Sequence, residues 1–137
     1  MTASFWRWWG PALAYMAFIF WMSSRARPAA FDDTPDLALH GGAYFLLCVL
    51  LVRALSRGLR RKATGRALYG GAILAVLYGV TDEWHQGFTA TRVASVGDVA
   101  ADAVGAIGAV VALSLMWWLR AGPSQGHGHH QIDSSEK

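Results

Sequence analysis

Four apolar runs, at about residues 9–22, 37–55, 67–84 and 99–119, constrain this chain more than any other feature. Each is close to the ~20 residues with which an α-helix crosses ~30 Å of hydrocarbon. None carries a charge at its centre, and none shows the polar stripe of a helix in a soluble bundle. The 137 residues are 54% hydrophobic and only 15% charged, below the roughly 25% charged residues of ordinary soluble domains. The expected fold is therefore all-α. It is a polytopic membrane protein with four transmembrane helices in a compact bundle over residues 1–121. Residues 122–137 are polar and hold too little apolar surface to fold, so a disordered tail is expected there. Its Gly126-His127-Gly128-His129-His130 run could bind a metal weakly, or its histidines could be incidental. Cys48 lies inside an apolar run and is expected to act as a small hydrophobe.

The basic residues orient the bundle. Six of the twelve fall in one connector, residues 53–66. That clustering reads as a topology signal, so no nucleic-acid partner is expected. Four crossings put both termini and this connector on one side. Arg7, the six connector residues, Arg120 and Lys137 lie there, against Arg25, Arg27 and Arg92 on the other. The positive-inside rule then makes both termini cytoplasmic in a multi-pass protein of the cytoplasmic (inner) membrane. Trp6, Trp8, Trp9, Trp117 and Trp118 would form the inner aromatic belt, with Trp21 and Trp84 in the outer one. Arg7 before the first run and Ala26, Ala29 and Ala30 after it leave a cleaved signal peptide as an alternative reading.

With this topology the acids and imidazoles collect at the outer end. Ser23 and Ser24 close the first run, and Asp36 and His40 open the second. Asp82, Glu83, His85 and Gln86 close the third. Arg92 follows in the connector, and Asp98 and Asp102 open the fourth. Ionisable groups at membrane depth persist where they have a partner or a job. Asp36 with His40, Asp82 with His85 and Gln86, and Asp98 with Asp102 have helix-face spacing. They are expected to point into one cavity between helix ends. Each has a bland reading as well. Asp36 can be a helix cap, and His40 can bond a neighbouring helix. Glu83, off the Asp82 face, can meet interfacial water, and Arg92 can be a loop charge or a partner for Asp82 or Asp98. Gly97, Ala101, Gly105 and Ala109 form a small-residue stripe suited to close helix packing.

The segment Tyr78-Gly79-Val80-Thr81-Asp82-Glu83-Trp84-His85-Gln86-Gly87-Phe88, with Arg92 a few residues on, carries a likeness. So do Phe20-Trp21-Met22-Ser23-Ser24, His40 with Tyr44, and Asp98 with Gly105 and Gly108. In that order they resemble the VanZ-like family of small bacterial membrane proteins, over nearly the whole chain to about residue 119. Asp102 stands where family members often carry Asn. The resemblance implies an envelope role, one form of which is altered access of glycopeptide antibiotics such as teicoplanin to peptidoglycan precursors.

Three function classes follow. The first is a noncatalytic site at headgroup level for an envelope lipid, cell-wall precursor or glycopeptide. Asp36, His40, Asp82, Glu83, His85, Gln86, Arg92, Asp98, Asp102 and Ser24 are its candidate binding residues, with Arg92 meeting an anionic group. The alternative is a membrane-embedded hydrolase or phosphotransferase acting on a lipid-linked substrate. His40, Asp82, Glu83 and His85 are then the candidate acid–base groups. The third is proton or ion coupling through Asp98 and Asp102. No HExxH, CxxC, GxSxG or P-loop pattern is present, so no metal or cofactor is assigned. Membrane lipids are the expected partners, and the oligomeric state is left open.

Overall fold

The computed structural model describes residues 3–25, 35–88 and 95–121. Within them the chain forms four helices and no strand: α1 Ala3–Ser23, α2 Asp36–Leu55, α3 Gly65–Gln86 and α4 Val96–Ala121. Every apolar run becomes a helix, and every helix outlasts its run. The added residues carry polar groups: α3 continues past its run through His85 and Gln86, and α4 begins before Asp98.

Local chemistry explains the ends. The Thr64 side chain caps α3 by accepting the Ala67 N–H at 3.2 Å, and Ser95 Oγ accepts the Gly97 N–H at 3.1 Å where α4 begins. Both are side-chain oxygens satisfying first-turn donors that lack an intrahelical acceptor. At α2 the cap position is Pro35, with φ −56° and ψ 136°, and no side chain caps it. Asp36 is thus the first helical residue and not the cap. Between α2 and α3 the chain reverses through Arg57 and Gly58, at φ 53° and φ 125°.

Glycine sets the helix spacing. Among the described residues, α2 and α4 make the most extensive contact. They meet at Gly41 and Gly105, where a Cβ on Gly105 would collide with the Gly41 carbonyl. Ala101, Gly105 and Ala109 of the small-residue stripe are buried at this crossing, whereas Gly97 is exposed. Helix α3 joins through Gly71 against Val52 and Gly79 against Asp102. Helix α1 packs on α2 and touches α3, and the Tyr78 hydroxyl donates to the Met16 carbonyl at 2.6 Å. Leu47, Cys48, Leu51, Val52, Leu68 and Leu113 fill the centre; Cys48 packs there as a small hydrophobe.

At the end opposite the acids, Arg53 donates to the carbonyls of Trp8 and Arg7 at 3.2 and 3.3 Å. Trp117 departs from the expected aromatic belt. It is 5% exposed and donates its indole N–H to the Leu59 carbonyl at 3.2 Å. An indole with a buried body and a paired N–H sits well in a bundle interior. Trp6 and Trp118, by contrast, face outward.

The outside of the bundle is apolar. Tyr69, Ile73, Leu77 and Trp84 run down α3, and Val104, Ile107, Val111, Leu115 and Trp118 down α4, all exposed. Contiguous apolar surface of this kind marks contact with a membrane or another protein. Helices α2 (from Leu37) and α4 are long and apolar enough to cross a membrane, with mean hydropathies of 1.8 and 2.0. Helices α1 and α3 are as long, at 21 and 22 residues. By the same hydropathy measure they fall short, because Trp, Tyr and Arg7 weigh against α1, and glycine and the polar last turn weigh against α3. Two strongly apolar helices are found among the described residues where four were expected.

The α2/α4 crossing makes a sharp comparison. Gly105→Ala forces a methyl into the Gly41 backbone and should cost ~1–3 kcal/mol, as overpacking does. Gly42→Ala, whose Cβ would meet nothing within 4 Å, should leave stability unchanged or slightly raised. Thermal unfolding of both variants in detergent, followed by helical circular dichroism, measures the difference. Equal melting would contradict the close crossing.

Candidate functional site

The ends of α1 and α3 and the starts of α2 and α4 come together, and their polar side chains form two groups. In the first, Ser23 Oγ donates to Asp82 Oδ1 at 2.6 Å, and Gln86 Nε2 donates to Asp82 Oδ2 at 3.2 Å. Asp82 and Gln86 are one helical turn apart on α3, so the amide stays in reach of the carboxylate. Ser23, Asp82 and Gln86 are all buried. A carboxylate in such surroundings is tolerable only with donors on its oxygens.

In the second group, His40 Nδ1 lies 3.0 Å from Asp102 Oδ1, and its Nε2 lies 3.8 Å from Asp98 Oδ2. The two aspartates are four apart on α4, so they present to one imidazole. Asp102 is 1% exposed and rests against Gly79, where a Cβ would overlap its carboxylate. The side chains of His40 and Asp98 keep 15% and 22% of their surface open to solvent. They form the rim above Asp102.

His85 and Glu83 depart from the expected faces. His85 was grouped with Asp82, but its Nε2 lies 3.0 Å from Ser24 Oγ and its ring 4.4 Å from the Phe20 ring. It turns toward α1 and is half-buried. The Ser24 hydroxyl also donates to the Phe20 carbonyl at 2.7 Å. The single Ser24 proton serves either that carbonyl or the imidazole, according to the His85 tautomer. Glu83 does not face water: it is buried and its Oε1 accepts the backbone N–H of Ser95. A carboxylate at the first turn of α4 suits the positive end of the helix dipole. Glu83 thus fastens α3 to the start of α4.

The buried carboxylates each have a partner on a neighbouring element. They are engaged with one another's helices, and the groups left toward solvent are Ser24, His85, His40 and Asp98. A cavity of about 220 Å³ lies at the opposite end, lined by Ser4, Phe5, Trp8, Trp9, Ala54 and Arg57. Among the described residues no three His, Cys, Asp or Glu side chains converge as metal ligands. Arg92, the side chain of Asp36 and residues 122–137 lie outside the described residues.

Three contributors received little weight in the sequence. Ser23 sits beside the more exposed Ser24. Tyr44 lies one turn below His40 and is 1% exposed. Gly79 lies three residues before Asp82 and makes room for Asp102. Extending the i, i+3 and i, i+4 spacing from the acids one turn inward would have found Tyr44 and Gly79.

The chain matches no protein-family model, no curated protein and no solved structure.

Adjacent serines provide the test of this geometry. Ser23→Ala removes a donor from a buried carboxylate and should destabilise by about 1–3 kcal/mol. Ser24→Ala, at an exposed position, should stay within about 0.5 kcal/mol of the parent. Parallel chemical denaturation in the same detergent distinguishes them, and equal losses would contradict the assigned partners.

Proposed function

We propose that the chain is a four-span protein of the cytoplasmic membrane. In this reading both termini are cytoplasmic and the polar end faces outward at headgroup level. It binds an envelope lipid, a cell-wall precursor or a glycopeptide there. One observation carries the reading: side chains from all four helices meet at one end as a buried, hydrogen-bonded cluster, while the outer faces are apolar. Such a cluster is costly in an apolar bundle and is kept where it has a role.

The roles divide by exposure. Ser24, His85, His40 and Asp98 form the ligand-facing rim. Asp82, Gln86 and Asp102 hold the rim's helices in place, and Glu83 holds α4. The segment 78–88 and its companions resemble the VanZ-like pattern, and that likeness supports a glycopeptide or cell-wall ligand. It rests on the motif residues alone.

A second reading, a membrane-embedded hydrolase or phosphotransferase acting on a lipid-linked substrate, is favoured by one observation. A buried carboxylate, Asp102, orients the His40 imidazole through Nδ1, an arrangement that suits a general base. In that case His40→Ala abolishes turnover while leaving ligand retention measurable.

The first reading is tested in a glycopeptide-sensitive bacterial host expressing the native chain, His85→Ala or Asp82→Asn at equal membrane levels. The native chain should raise tolerance to teicoplanin-type glycopeptides or to envelope stress several-fold, and both variants should lose most of that gain. Equal tolerance in all three strains would contradict an envelope role for this site.

A further inference from the structure

We propose that the cavity between the start of α1 and the α2–α3 connector seats the headgroup of an anionic phospholipid of the cytoplasmic leaflet, with Arg57 meeting its phosphate. The site rests on the membrane reading above and is independent of the ligand taken at the polar rim.

The cavity is small, about 220 Å³, and of mixed chemistry. Phe5, Trp8 and Trp9 give it aromatic walls, and Ser4 and Arg57 give it donors. Its cations come without anions. Every described Asp and Glu belongs to the opposite end of the bundle, so no described carboxylate is there to meet Arg57. Two more guanidinium groups lie beside the same wall: those of Arg7 and Arg53 are 5.0 and 5.3 Å from the centroid of the Trp8 ring. Arg53 is already committed, because it donates to the Trp8 and Arg7 carbonyls. Pro11 lies inside α1 and has no N–H, which leaves the Arg7 carbonyl without its usual helical donor. Arg53 thus fastens the cavity wall to α2, and Arg57 is the cation that lines the cavity.

The backbone at Arg57 is a second observation. Its φ of 53° falls in the left-handed region that L side chains rarely adopt. Gly58 follows at φ 125°, and a Cβ there would lie 3.6 Å from the Trp8 ring. The turn therefore closes against Trp8. A residue persists in such a conformation where the surrounding fold over-determines it, and here the result is a cation placed at an aromatic-walled cavity.

The apolar surface continues beyond the cavity, which selects a lipid over a free anion. Leu13 lies one turn beyond Trp9. Trp6, Leu13 and Phe20 are all exposed, and their seven-residue spacing keeps them on one side of α1. An acyl chain joined to a phosphate at Arg57 has that stripe to lie along. Basic pockets at the cytoplasmic ends of membrane helices take anionic headgroups on these grounds.

Native mass spectrometry of the purified full-length chain in a neutral detergent, with equal amounts of phosphatidylglycerol and phosphatidylcholine added, tests the site. The native chain should retain phosphatidylglycerol several-fold over phosphatidylcholine. Arg57→Asn, a change that the positive φ tolerates, should lower that retention at least about fivefold. Arg60→Gln removes the same charge from an exposed connector position outside the cavity, and should change retention by less than about twofold. Equal retention of the two lipids overturns the site. Equal losses in the two variants overturn it as well, since they would mean diffuse attraction to the connector. Millimolar inorganic phosphate should leave the lipid in place; complete displacement would make the occupant a free anion and overturn the lipid assignment. A lipid-free dimer lost on Arg57→Asn would give the face to a second copy, with the same consequence. Should a variant fail to fold by circular dichroism, the lipid preference of the native chain still decides. A chain that stays soluble without detergent contradicts the membrane reading and this site together, whereas a detergent-dependent chain with no lipid preference contradicts this site alone.

Discussion

Carboxylates inside an apolar bundle are the constraint around which this structure is arranged. Asp82, Glu83 and Asp102 are all buried, and each has a partner outside its own helix. Ser23 of α1 serves Asp82, the Ser95 backbone serves Glu83, and His40 of α2 serves Asp102. Unpaired, any one of them would carry a penalty that few small proteins could offset. The polar end is thus a set of cross-helix ties as well as a candidate site. Its bonds specify which helix ends are neighbours, which apolar packing alone leaves loose.

Close approach makes those ties possible. The distance from His40 to Asp102 depends on α2 and α4 meeting at Gly41 and Gly105. Asp102 reaches α3 only because Gly79 has no side chain. Where water cannot drive helices together, small residues and interhelical hydrogen bonds take over that work. The same logic explains the exterior. Most of the large aliphatic and aromatic residues of α3 and α4 point outward, and alanine and glycine supply most of their buried positions, the reverse of a soluble bundle.

Hydropathy made the helices legible, since a long run without charges has few other solutions. The grouping of acids and imidazoles at one end was legible too, because consecutive helices reverse direction and bring the end of one apolar run beside the start of the next. Side-chain partners were not. His85 and Asp82 have the spacing of neighbours, yet His85 finds Ser24 and the Phe20 ring on α1. Glu83 had no visible acceptor role, because its donor is a backbone N–H twelve residues away. Trp117 read as an interfacial anchor and is instead buried under the connector carbonyl of Leu59. Each of these depends on how far the helices rotate about their axes, and spacing within one helix does not contain that rotation. The apolar runs also set α1 and α3 on a par with α2 and α4, although aromatic residues in α1 and glycine in α3 lower their mean hydropathy.

The proposed orientation, with the tied polar end of this apolar-skinned bundle turned outward, stands or falls on sidedness. Single cysteines at Phe88 and at Lys62, in a Cys48→Ala background, can be probed in intact cells with a membrane-impermeant thiol reagent. The account predicts labelling at position 88 and protection at position 62 until the cells are opened. Protection at 88 with labelling at 62, or equal labelling at both before lysis, would contradict it.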